Sequence, residues 1–178
     1  MRKILPLLLT VLLVTCNLPA PSPEQATAAP ATEAPYQPCS YQWATQPLPE
    51  VSAKVQSAMQ AAGLENVTAT AEAYGETCST SLAAQTPTFA AMETDFRVTV
   101  EVASLSDREE MGNLAEKILV VLDGFPVGTT PGPQPGYVGI SFTADADQLN
   151  LWFLASDGRA ARDRGLRGAA LLEELLNK

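Results

Sequence analysis

Apolar residues recur along this chain with two periods, and the changes of period mark its elements. Val51, Val55, Ala58, Met59 and Ala62 share one helical face, with Pro49 where a helix can start and Gly63 where one can stop. Over residues 67–74, Val67, Ala69, Ala71 and Ala73 alternate with Thr68, Thr70, Glu72 and Tyr74, the mark of a half-buried strand. Residues 75–87 are rich in Ser and Thr and read as a loop. A stronger strand follows, with Phe96, Val98, Val100 and Val102 against Arg97, Thr99 and Glu101. Ser106 and Glu109 have capping-box spacing, and Met111, Leu114, Ala115, Ile118, Leu119 and Leu122 form the stripe of the helix behind them. Residues 124–136 are a Pro/Gly-rich connector. Val138, Ile140 and Phe142 alternate with Gly139, Ser141 and Thr143, residues 145–147 make a turn, and residues 149–155 return as a fourth strand. Residues 157–176 read as a last helix, weakened by Gly158, Gly165 and Gly168. A weak internal repeat relates residues 98–122 to 149–176, each a strand, an Ala-Ser step, an Asp and a Leu-rich helix. The order α-β-β-α-β-β-α predicts an α+β domain of two layers, an antiparallel four-stranded sheet with helices on one face.

The start of the chain follows neither period. Met1-Arg2-Lys3 is basic, and residues 4–14 are an apolar run of about 11 residues, short of the roughly 20 needed to span a bilayer. These are parts of a secretory signal. The run ends Leu13-Val14-Thr15-Cys16, and with Leu13 and Cys16 in place it resembles the lipobox of bacterial lipoproteins. The resemblance covers the leader alone. It implies cleavage before Cys16, lipid on Cys16, a signal peptide over 1–15, and a membrane-anchored, extracytoplasmic protein. Ordinary cleavage after Ala20 is opposed by Leu18 and Pro21, and Ala26-Thr27-Ala28 lies far beyond the apolar run. Residues 17–38 are almost wholly Pro, Ala, Thr, Ser, Gln and Glu, without Lys or Arg. Such a stretch favours extended conformations, so 16–38 reads as a disordered tether and 39–178 as the single globular domain. With Cys16 lipidated, Cys39 and Cys78 remain, and two cysteines in an oxidising compartment are expected to pair.

Charge narrows the partners. The chain carries a net -9, and losing Arg2 and Lys3 with the signal takes it to about -11. Such a protein repels nucleic acid, so no DNA or RNA partner is expected, and membrane contact falls to the lipid anchor. There is no histidine, which excludes Ser-His-Asp and Cys-His catalysis and His-ligated metals. No phosphate-binding glycine loop, nucleophile elbow or complete calcium loop is present, and Asp145-Ala146-Asp147 reads as a hairpin turn. No catalytic residue, metal or cofactor is therefore expected. Glu109 and Glu110 suit the first turn of a helix electrostatically. Arg159, Arg162, Arg164 and Arg167 form the one basic cluster, either an anion site or the solvated face of the last helix, offset by Asp157 and Asp163.

If the Val98 face of the sheet meets the helices, the opposite face carries Thr68, Thr70, Glu72, Tyr74, Arg97, Thr99, Glu101, Ser141, Asn150, Trp152 and Leu154. Trp, Tyr and Arg are enriched in interface cores, so Tyr74, Arg97 and Trp152 are the candidate residues for a protein partner on this face. The tether, or Tyr41 and Trp43, could instead cover it. The 124–136 loop is a second candidate, since long loops often carry binding. Three functions stay open. The first is a binding or envelope-structural module, the second a carrier of a small apolar ligand, and the third a hydrolase with acid or Ser/Thr chemistry.

Overall fold

The computed structural model describes residues 40–79 and 88–178. Its elements run β1 (Ser40–Pro47), α1 (Pro49–Ala61), β2 (Val67–Ser79), β3 (Thr88–Glu101), α2 (Arg108–Leu122), β4 (Gln134–Ala144), β5 (Asp147–Leu154), α3 (Ala155–Asp163) and α4 (Gly168–Leu176). The leader, the tether and Cys39 lie outside the described residues, as does the 80–87 part of the expected loop.

The α+β class and the α-β-β-α-β-β succession are present, but the sheet differs from expectation. It has five strands in chain order, β1-β2-β3-β4-β5, and is mixed: β3 and β4 run parallel while the other neighbours are antiparallel. The physical reason lies in α2. A helix between two neighbouring strands carries the chain back to the end where the first strand began, so the second runs in the same direction. The fifth strand, β1, has no buried side chain over its length. An edge ribbon with both faces wet leaves no period-2 apolar signal. The outer end of β2, residues 75–79, also belongs to the strand and not to a loop, paired with β1.

One sheet face and the helices share a single core. Ala69 and Ala71 of β2, Phe96, Val98 and Val100 of β3, Val138, Ile140 and Phe142 of β4, and Leu151 and Phe153 of β5 are buried with Val55, Met59, Met111, Ile118, Leu171 and Leu175 of the helices. α1 also completes the edge of β2 beyond the end of β1. The Gln56 side-chain amide acts as a stand-in strand, its Nε2 donating to Val67 O (2.8 Å) and its Oε1 accepting from Ala69 N (2.7 Å). Ser52 Oγ accepts from Ala71 N at 2.8 Å. Backbone groups that could template another strand are thereby occupied.

The last helix is two helices. Leu166 N donates to Ala161 O and Gly165 N to Arg162 O, the paired bonds of a Schellman stop, with Gly165 at φ +85°. The cap of α2 also differs from the expected Ser106/Glu109 box. Asp107 is the N-cap, its carboxylate accepting from Glu110 N at 2.9 Å. Glu109 reaches across to α4, where its Oε2 accepts from Ala169 N at 2.8 Å and so caps a second helix.

Candidate functional site

The strand register sets the side chains of the uncovered sheet face in rows. Thr70, Arg97, Gly139 and Trp152 are successive partners across four strands. Glu72 faces Asp95 in the next row, and Tyr74 faces Glu93 in the one beyond it. Glu72, Tyr74, Glu93, Asp95, Arg97 and Trp152, with Thr45 of β1 and Tyr137 of β4, line an open groove of about 850 Å³ to which all five strands contribute. That volume is in the range of about 300–1,000 Å³ typical of ligand sites.

Two stacked aromatic pairs flank it. Trp43 lies on Tyr74 with ring centroids 5.3 Å apart and planes at 7°. Tyr137 lies on Trp152 at 5.4 Å and 4°. The Trp152 ring spreads over its cross-strand partner Gly139, where any Cβ would fall 2.7 Å from ring atoms. Glycine here is thus what lets the ring lie flat. The Arg97 guanidinium sits 4.8 Å from the Trp152 ring centroid and donates from Nε (2.8 Å) and Nη2 (2.6 Å) to Glu72 Oε1. A cation is thus held between a π face and a carboxylate.

Asp95 forms the floor. Thr94 pairs with Pro135 and Phe96 with Val138, so Gly136 and Tyr137 of β4 oppose the single Asp95 in a bulge. Bulging removes Tyr137 N from the ladder, and Asp95 Oδ1 accepts it at 2.7 Å. Asp95 is 5% exposed. Burial pushes its carboxyl above the ordinary range, with Glu72 adding in the same direction and the Tyr137 N–H and Arg97 opposing. Glu93 is raised too, by burial and then by the charge of Asp95.

These shifts have a definite sign. For a carboxyl raised on folding, the native state holds its proton more tightly than the unfolded chain. Its stabilising contribution is complete below the unfolded value, 3.8 for Asp95, and is lost as pH rises through the raised folded value. Asp95→Asn keeps an acceptor for Tyr137 N and removes that loss. The variant should match wild type in melting temperature near pH 4 and equal or exceed it at pH 7. Melts across this range check it, and a deficit that grows toward pH 7 would contradict the account.

The structure brings Tyr74, Arg97 and Trp152 together on the groove, and Trp152 is 43% exposed, as alternation predicts. Trp43, read from the sequence as a cover for this face, lies on Tyr74, one residue of it; Glu93, Asp95 and Tyr137 were not singled out by the sequence analysis. Extending the alternation of β3 and β4 backward by parity puts Glu93, Asp95 and Tyr137 on the same face as Arg97 and Gly139. The arginine cluster is engaged within the helical layer. Arg159 and Arg162 share Asp123, Arg164 pairs with Glu174 at 2.8 Å, and Arg167 with Glu116 at 2.7 Å. The 124–136 loop borders a smaller cavity of about 230 Å³ between α2, β4 and α3, lined in part by Phe96, Phe125 and Arg159. Cys78 is buried near the end of β2, opposite Tyr41.

Fold and groove together define an α+β protein whose mixed five-stranded sheet carries an aromatic, acid-rich groove on its open face. Comparison with known proteins finds no matching family model, no matching curated protein and no matching solved structure.

Proposed function

We propose that this chain is an extracytoplasmic lipoprotein, anchored through Cys16, whose domain is a binding module working through the open sheet face. The observation that carries the binding role is the groove itself: two stacked aromatic pairs flanking a buried carboxylate on a face that no described element covers. Burial of the charge opposes folding, and carboxyl groups perturbed by burial in a cleft cluster at functional sites. The apolar-carrier reading is less favoured, because the cavity on the helix side holds only about 230 Å³. A Cys39–Cys78 bridge belongs to the same proposal. Cys39 immediately precedes β1, whose Tyr41 is the register partner of Cys78, and Cys78 is not a free thiol.

The anchor is tested by fractionation. Wild type should sediment with membranes, carry lipid on Cys16 and show no alkylation of Cys39 or Cys78 before reduction, whereas Cys16→Ser should be released. Identical lipid-free forms of both proteins would end the lipoprotein reading. The face is tested by chemical crosslinking on intact cells. An adduct should form with wild type and be lost in Trp152→Ala in a protein that still melts cooperatively, its melting temperature lowered by the lost stacking on Tyr137 and over Gly139.

A further inference from the structure

This inference rests on the binding role of the open face and names its ligand. Glu72, Glu93 and Asp95 share the groove with one cation, Arg97, and Arg97 is already committed to Glu72. Among the described residues neither Glu93 nor Asp95 makes an ion pair. Asp95 is 5% exposed and uses one carboxylate oxygen for Tyr137 N; its other oxygen has no hydrogen-bond partner among the described residues. The groove is therefore short of two positive charges. Two aromatic residues share the groove with these acids: Tyr74 is the register partner of Glu93, and Tyr137 donates its backbone N–H to Asp95. Arg97, between Trp152 and Glu72, shows the same chemistry satisfied from within the chain.

We propose that the groove binds an aliphatic diamine or polyamine, its ammonium groups held by Glu93 and Asp95 and its methylene chain laid along the Tyr74 and Tyr137 rings. The two acids lie two residues apart on one strand, roughly 7 Å between Cα atoms, a spacing suited to a four-carbon diamine. Ammonium over aromatic rings adds a cation–π contribution that a neutral ligand lacks. The strongly acidic chain also draws multivalent cations toward its surface. Charge argues against the chain's own tether as the occupant, since residues 17–38 carry Glu24 and Glu33 and no basic residue.

The test is titration calorimetry on the full-length chain in detergent, with 1,4-diaminobutane and spermidine as probes. Both should bind, while butylamine binds at least tenfold more weakly. Glu93→Gln and Asp95→Asn should each weaken the diamine at least tenfold. Glu93→Lys, a change at a part-exposed side chain that supplies the missing cation in place, should abolish binding in a protein that still melts cooperatively. No binding of either amine overturns the proposal, as does equal affinity in wild type and the two neutral variants. Binding of a neutral disaccharide or of a peptide of residues 17–38 in place of the amines overturns it as well. If the amines fail while the Trp152-dependent crosslink persists, the ligand assignment falls and the binding role stands.

Discussion

Phe142→Ala should lower the unfolding free energy by about 3–5 kcal/mol, the loss expected when a wholly buried aromatic ring is truncated. Phe142 has 0% exposure on β4, next to β3 in the middle of the sheet, with Ile140 before it on the same buried face. It lies where the sheet meets the helices, so every neighbour that would have to move to close the cavity is itself packed. For a domain of this size the change corresponds to a fall in melting temperature of roughly 10 °C or more. Thermal unfolding followed by circular dichroism measures it. A drop of only a degree or two would mean that the core can collapse around the vacancy and that the helices are not rigidly seated.

A loss of similar size is expected from adding atoms instead of removing them. Gly112 of α2 faces Gly168 at the start of α4, and a Cβ on Gly112 would fall 1.8 Å from Gly168 O. The clash is with backbone, so no rotamer change relieves it. Gly168 cannot easily retreat, because Glu109 of the same helix α2 caps the adjoining Ala169 N–H and any Cβ on Gly168 would meet that carboxylate at 2.1 Å. Gly112→Val should therefore separate α2 from α4 and destabilise by about 3 kcal/mol or more, at the upper end of overpacking effects. Denaturant titration checks this. An unchanged midpoint would show that the α2–α4 crossing is looser than the close approach implies.

Much of the scaffold was legible along the chain because it depends on local period. The alternation of Phe96, Val98 and Val100, and that of Val138, Ile140 and Phe142, reports a sheet with one dry face, and the Met111 to Leu122 stripe reports a helix lying on it. Face assignment follows from parity, so the outward side of Tyr74, Arg97 and Trp152 was determined by the sequence itself. So was the turn between β4 and β5, where Asp145 takes φ 52°, a conformation Asp tolerates better than most residues. The helix between residues 102 and 138 also held the cue for a parallel pair, because such a connection reverses the chain twice.

The rest required the third dimension. β1 has no apolar period to read, since it buries neither face; only its register against β2 brings Trp43 onto Tyr74. The burial of Asp95 comes from one extra residue in β4, and a bulge depends on the pairing of two strands 40 residues apart, not on either strand alone. The reach of Glu109 to α4 likewise depends on how two helices cross, whereas the Schellman stop at Gly165 is local to residues 161–166. Local sequence determined which side of each strand faces water. The tertiary register alone decided which of those exposed groups meet, because bringing acids and aromatic rings from five strands into one groove is a property of the sheet and of none of its segments.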